Sequence, residues 1–267
     1  MENVMKVVIC PTAEHTTALT ARVIERAVRQ KPDIVLGLAT GRTMEAVYAH
    51  LVTAHRQAGL DFERCRTFNL DEYAGIVPSS ARSYRTYMDE HLFSRVNIVH
   101  SATHVPDGSV DDIAAQCAGY EDAIRTSGGV GLQLLGLGEN GHIGFNEPFS
   151  AFTSRTRLVT LDPATRQQNV GMFDDDLTQV PYHAITMGIA TILDARRTVM
   201  VVNGQAKAEM LARVIEGPMT ASISATALQM HADCLIIADE AAAGALSRRA
   251  YITHLMQHDP ELRVLLS

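Results

Sequence analysis

The sequence predicts an α/β protein built on one doubly wound, mostly parallel sheet with helices on both faces, with residues 1–267 forming a single domain. Two observations carry this. Short apolar runs alternate with longer segments of helical period from end to end, the pattern imposed by a parallel sheet covered on both faces. A chain of 267 residues that is 46% hydrophobic can bury a large core, and no internal repeat, low-complexity tract or Pro/Gly-rich linker marks a boundary within it.

Taken in order, Val4–Cys10 is the first apolar run, and Ala13–Gln30 follows it as a helix with Thr12 as N-cap. Ile34–Leu38 is the second strand and Thr43–Ala58 the helix after it. Arg66–Leu70 is the third strand. Val110–Thr126 reads as a helix capped by Ser109, and Leu132–Leu137 as a buried strand. Ala184–Met187 and Thr198–Val202 are two more strands, Gln205–Glu216 is a helix, and Cys234–Ala238 is the last strand. In such sheets ligands sit beyond the carboxyl ends of the strands, so chemistry is to be sought just after each apolar run.

A formal net charge of −7 without a basic run offers no footprint for nucleic acid or for an anionic membrane, so any phosphate binding must come from a few local groups. The start, MENVMKVVICPTAEHTT, lacks the layout of a signal peptide, and no stretch approaches the roughly 18 uncharged residues of a membrane span, so a soluble, cytoplasmic protein is expected. Cys10, Cys65, Cys117 and Cys234 lie far apart with no CxxC pair. They indicate buried thiols rather than a disulfide framework or a zinc site.

Four post-strand segments carry chemistry. In LGLATGRT, residues 36–43, a strand runs into a turn and a helix. Thr40, Gly41, Arg42 and Thr43 would offer backbone N–H groups, a close-approach glycine and two hydroxyls to a phosphate, although an ordinary turn capped by Thr43 is the plain alternative. In TFNLDEYAG, residues 67–75, Asp71 and Glu72 follow a strand, and either could carry a proton between neighbouring sugar carbons. In LLGLGENGHIGFNEP, residues 134–148, four glycines surround Asn140, His142 and Glu147; a histidine near a carboxylate is held in one tautomer and exchanges protons near neutral pH. The GxGxxG spacing of residues 136–141 does not make this a dinucleotide site, because Pro148 and a polar stretch follow where a helix should open. In NGQAK, residues 203–207, Lys207 falls in the first turn of a helix. A cation is disfavoured there unless an anion joins it.

Together with SYRTYM, SRTRLVTLD, FDDDLTQVP, AITMGIATILDAR and CLIIAD, these blocks in this order resemble the glucosamine-6-phosphate deaminases over nearly the whole chain. The resemblance implies aldose–ketose isomerisation and deamination of glucosamine 6-phosphate to fructose 6-phosphate and ammonia, in amino-sugar catabolism. It makes Asp71 the base that moves a proton from C2 to C1 through an enolamine, His142 the ring-opening acid/base, and Glu147 its supporting carboxylate, with Asn140 beside them. Lys207 and the Thr40–Thr43 turn would hold the 6-phosphate. No metal or organic cofactor is implied, and homo-oligomerisation is left open. Galactosamine-6-phosphate deaminase and 6-phosphogluconolactonase are the alternatives, with a non-catalytic sugar-phosphate sensor more distant.

Three departures from the family pattern bear on function. Asn140 stands where many relatives have aspartate. Arg42 replaces a small residue, and Gly171 falls where some relatives have a phosphate-binding arginine. Val159 falls where allosterically regulated relatives have a lysine for an N-acetylated sugar-phosphate activator, although Ser150 and Arg157 match that site.

Overall fold

A computed structural model describes residues 5–266. Its strands are β1 (Lys6–Cys10), β2 (Val35–Leu38), β3 (Arg66–Asn69), β4 (Asp71–Tyr73), β5 (Thr103–His104), β6 (Leu132–Gly136), β7 (Arg157–Thr160), β8 (His183–Thr186), β9 (Thr198–Val202) and β10 (Cys234–Asp239). Its helices are α1 (Ala13–Gln30), α2 (Arg42–Ala58), α3 (Tyr84–His91), α4 (Ile113–Thr126), α5 (Pro163–Gln168), α6 (Ile189–Leu193), α7 (Ala208–Glu216), α8 (Arg249–His258) and α9 (Pro260–Leu266).

Seven strands form a parallel sheet in the order β1-β10-β9-β6-β2-β3-β5. The chain winds outward from β2 through β3 to β5, returns to β6 beside β2, and then winds the other way through β9 and β10. The point of reversal lies between β2 and β6. Ligand crevices open there, beyond the strand ends, because the following loops diverge to opposite faces. β9 and β10 are buried at every position, as strands covered on both faces must be.

Six of the expected strands lie in this sheet, with ends shifted by a residue or so; Val4 is outside the described residues. The seventh, Ala184–Met187, does not. As β8 it joins β4 and β7 in a separate antiparallel sheet, pairing Asp71 with Thr186 and Arg157 with Thr186 from its two sides. An apolar run of four residues announces burial but not which sheet it enters. The flanking strands, the polar β4 and the half-exposed β7, carry no apolar run at all. Tyr73, Tyr84, Phe145, Leu161, Phe173, Val180 and Ala184 form a second buried cluster beneath this small sheet.

Thr12 caps α1, accepting a hydrogen bond from the His15 N–H. Ser109 does not cap α4. The helix opens three residues later, where Asp112 accepts the Ala115 N–H at 2.9 Å, while Ser109 turns back to Asp107. A carboxylate competes well for an N-cap because it interacts favourably with the helix dipole. The segment Gln205–Glu216 divides into a 3₁₀ turn over Gln205–Lys207 and α7. All four cysteines are free and buried, and burial pushes the Cys10 and Cys234 thiols up to about 11 and Cys65 up to about 12. Among the described residues no helix is long and apolar enough to cross a membrane.

Candidate active site

The turn after β2 and the loop after β6 wall a cleft of about 610 Å³, completed by Asp71, Tyr84, Tyr87, Gln168, Asn169, Gly171, Met172 and the β9 end with Lys207. The cleft therefore sits at the reversal of the sheet, and it gathers Thr40, Gly41, Arg42, Thr43, Asp71, His142 and Lys207. Asn140 and Glu147 stand behind His142 instead of lining the wall.

The phosphate-type turn is built as a helix start. Gly41 is the N-cap of α2 and supplies no side-chain hydrogen bond, so the leading N–H groups of a 17-residue helix have no side-chain partner. Thr43 lies within the first helical turn, which removes the reading in which it merely caps the helix. Tyr87 pins the turn from α3, its hydroxyl donating to the Gly41 carbonyl at 2.9 Å. Uncapped N–H groups at a helix N-terminus favour an anion.

Asp71 and Glu72, equivalent in the sequence, are separated by the strand that carries them. Successive side chains on β4 point to opposite faces. Asp71 faces the cleft. Glu72 is turned away and spent on the start of α3, accepting N–H groups from Tyr84 at 3.0 Å and Arg85 at 3.1 Å besides that of Tyr73. Burial, reinforced by the Glu72 charge, pushes the Asp71 carboxyl up to about 8, against the pull of the Phe145 N–H. Gly144 permits this placement: at φ +56°, a Cβ there would come within 2.9 Å of Thr186 Oγ1 and 3.3 Å of Asp71 Oδ2.

His142 is held from behind. Its Nδ1 lies 3.3 Å from Glu147 Oε2, and the same oxygen accepts Asn140 Nδ2 at 2.8 Å. Asn140 Oδ1 in turn accepts the His142 N–H at 3.1 Å. Burial alone would raise the Glu147 carboxyl, but the hydrogen bonds from His142, Thr165 and Asn140 hold it below the ordinary value. An ionised carboxylate only accepts, so Nδ1 carries a proton and Nε2 is left to serve the cleft. Asparagine at 140 belongs to this arrangement, because an aspartate would set a second carboxylate against Glu147 with no donor between them. The imidazole packs against Gly138, where a Cβ would stand 2.2 Å from its Cδ2, so only glycine fits there.

Lys207 is the unusual group. Its Nζ is buried without a hydrogen-bond partner, and burial lowers its pKa while the Glu139 carboxylate opposes the shift. A desolvated ammonium with no partner is costly unless an anion joins it. Arg42, exposed on the opposite lip, has no ion pair among the described residues, and a Cβ at Gly171 would lie 4.0 Å from its Nη2. Position 171 thus adjoins the Arg42 guanidinium, with Asp175 Oδ1 equally near.

Sequence reasoning did not assign Glu139, Tyr84, Tyr87, Gln168, Asn169 or Met172 to the wall, although Tyr84 and Tyr87 lie in the SYRTYM block. Glu139 lies inside the glycine loop already singled out, and its place beside His142 in sequence was the available signal. Outside the cleft, Arg157 donates to Asn146 Oδ1 and to Ser150 Oγ, both at 2.9 Å, while Val159 packs on the aromatic cluster of the small sheet.

A profile of the family described as glucosamine-6-phosphate isomerases/6-phosphogluconolactonase matches residues 11–237. A glucosamine-6-phosphate deaminase of Arthrobacter sp. (strain FB24) is 46% identical over 256 residues, covering 96% of this chain and 98% of that protein. One from Hahella chejuensis is 47% identical over 242 residues, covering 91% and 92% of the two chains. Among solved structures, a monomeric glucosamine-6-phosphate deaminase superposes with a TM-score of 0.88 at 41% identity, over 90% of this chain and 100% of that one. The 6-phosphogluconolactonase of Thermotoga maritima shares the fold, with a TM-score of 0.69 at 20% identity over 89% of this chain and 99% of that one.

Proposed function

The chain belongs to the family of glucosamine-6-phosphate isomerases and 6-phosphogluconolactonases, and within it we propose that the protein is the deaminase, converting glucosamine 6-phosphate and water to fructose 6-phosphate and ammonia. The observation that carries this reading is the meeting, in one cleft, of a buried carboxylate with a raised pKa, an imidazole backed by a carboxylate, and a buried ammonium without a partner. Each answers one demand of the reaction.

The 6-phosphate sits between Lys207 and the N-terminus of α2, with Arg42 closing from the lip. At the other end, His142 Nε2 moves the proton between O1 and O5 as the pyranose opens, and Glu147 stabilises the imidazolium that forms. Asp71 then takes the C2 proton and returns it to C1, through an enolamine. The amine carbon becomes an imine, water adds to it, and ammonia leaves. No net redox change occurs, since C1 gains the hydrogen that C2 loses. The reaction is thus an isomerisation completed by hydrolytic loss of the amine.

A coupled assay should compare glucosamine 6-phosphate, galactosamine 6-phosphate and 6-phosphogluconolactone. Ammonia and fructose 6-phosphate from the first, at the highest kcat/KM, is expected. Lactone hydrolysis without ammonia release would overturn the reading, and a preference for galactosamine 6-phosphate would reassign it to the other C4 epimer.

Arg42→Ala should lower kcat/KM about 10-fold or more, the effect of losing a charge-assisted hydrogen bond worth at least ~1.5 kcal/mol. The loss should fall on KM, because the phosphate is bound alike before and during the chemical step. Returning an arginine through Gly171→Arg in that background should recover part of it. An unchanged KM in Arg42→Ala would leave Lys207 and the turn as the whole phosphate site.

Activation by N-acetylglucosamine 6-phosphate is expected to be absent or weak. Arg157 and Ser150 are together, but Val159 brings no ammonium to a phosphate there. Saturation curves with and without that compound would check this, and a marked leftward shift would show that Arg157 and Ser150 suffice.

A further inference from the structure

We propose that Asp239 is a positioning residue for the phosphate site, acting through the turn that carries Lys207. This rests on the reading of Lys207 as a phosphate ligand. Asp239 ends β10, and its register neighbour β9 ends one step earlier, with Ala238 opposite Val202. The carboxylate therefore stands beside the chain as it leaves β9. Both of its oxygens approach the Gly204 N–H, at 3.0 and 3.1 Å, and Oδ1 also accepts the Ala242 N–H at 2.7 Å. Asp239 is 6% exposed and does not line the cleft.

Gly204 stands at φ +90° and opens the 3₁₀ turn that ends at Lys207, whose N–H returns to the Gly204 carbonyl at 3.1 Å. On the other flank, Asn203 Oδ1 meets the buried Thr16 hydroxyl of α1 at 2.6 Å. The short turn is thus fixed from β10 and from α1, and its last residue is delivered into the cleft.

Lys207 needs such a fixture. Its ammonium gives up water without gaining a partner in the free protein, and a flexible four-carbon stem would carry it back to solvent if the turn relaxed. A carboxylate holds the two N–H groups by charge-assisted bonds. An amide at the same position can keep Oδ1 as acceptor for both N–H groups, but it removes the charge and sets a donor where Oδ2 met the Gly204 N–H, so Asp239→Asn loosens the turn while nearly preserving volume.

The test is Asp239→Asn, alone and in a Lys207→Ala background, with inorganic phosphate as a competitive inhibitor. Asp239→Asn alone should raise KM for glucosamine 6-phosphate and the phosphate inhibition constant together, by about 10-fold, with kcat within about twofold. In the Lys207→Ala background it should add little, because the residue acts through Lys207. A fall in kcat at unchanged KM, or a full further loss on top of Lys207→Ala, would overturn the inference. So would an unchanged KM in a folded Asp239→Asn protein. Failure of the phosphate reading itself would show separately, as a Lys207→Ala enzyme with unaltered KM. Should Asp239→Asn fail to fold, Thr16→Val, which releases Asn203 and with it the turn from the α1 flank without touching the cleft, should raise KM in the same way, and a normal KM in that variant would overturn the inference.

Discussion

Asp71→Asn is expected to lower turnover of glucosamine 6-phosphate by about 10²–10⁴-fold, the range of a lost general base, with the fold intact. Asparagine keeps the shape and removes the basicity. A carboxyl raised to about 8 is matched to its task, since a base works best when its pKa lies near the working pH. The same shift has a cost in stability. The folded carboxyl titrates near 8 and the unfolded one at about 3.9, so between these values the folded state binds more protons and stability falls as pH rises. The asparagine variant has nothing to titrate there. It should gain stability over the parent as pH rises from about 4, with the difference levelling off above about 8. Thermal unfolding across that window would show this, beside single-turnover kinetics. A variant keeping more than about a tenth of the parent's turnover would move the role elsewhere. Glu72→Gln should behave otherwise, setting an amide donor against one of the N–H groups at the start of α3 and so acting on stability before it touches chemistry.

His142→Gln is expected to slow the reaction of the cyclic sugar by about 10²-fold or more. A substrate analogue that cannot close into the pyranose should be affected far less, because the proton that His142 relays belongs to ring opening. Equal losses on both would assign His142 to a later step. Glu147→Gln should follow in the same direction more mildly, since the imidazole keeps a hydrogen-bonding neighbour but loses the charge that stabilises its protonated form.

The large sheet was legible because burial on both faces writes itself as continuous apolar runs, and the cleft was legible because ligands in such sheets follow strand ends. The turn at Thr40–Thr43, the glycine loop and Lys207 could be picked out one by one for that reason. The choice between Asp71 and Glu72 could not be made from residues alone. It depends on β4 being a strand, and a three-residue stretch with two carboxylates has no apolar pattern to announce one. The resemblance to a family favoured Asp71, and the physical ground appeared only with the pairing of β4 to β8. Asp239 was invisible for another reason: its role depends on contact with Gly204, 35 residues away, and a carboxylate ending a strand looks the same whether it meets water or a turn. Of the small sheet only β8 was legible as a strand; β4 and β7 were missed, because they draw their hydrophobic support from aromatic residues scattered between Tyr73 and Ala184.

The division of labour between the two sheets has an evolutionary side. His142, Lys207 and the α2 turn are mounted on the large sheet, whereas Asp71 rides on the small one, joined to β3 through Leu70 alone, whose carbonyl is held by the Met187 N–H at 2.7 Å. A misplacement of about 1 Å in a reacting group can change a rate by about 10²-fold. Any repacking of Tyr73, Phe145 or Phe173 that tilts the small sheet therefore moves the carboxylate relative to a sugar whose phosphate stays where it was. Lineages can retune speed by drift at Tyr73 and Phe173, which do not line the cleft, without relearning how to recognise the substrate.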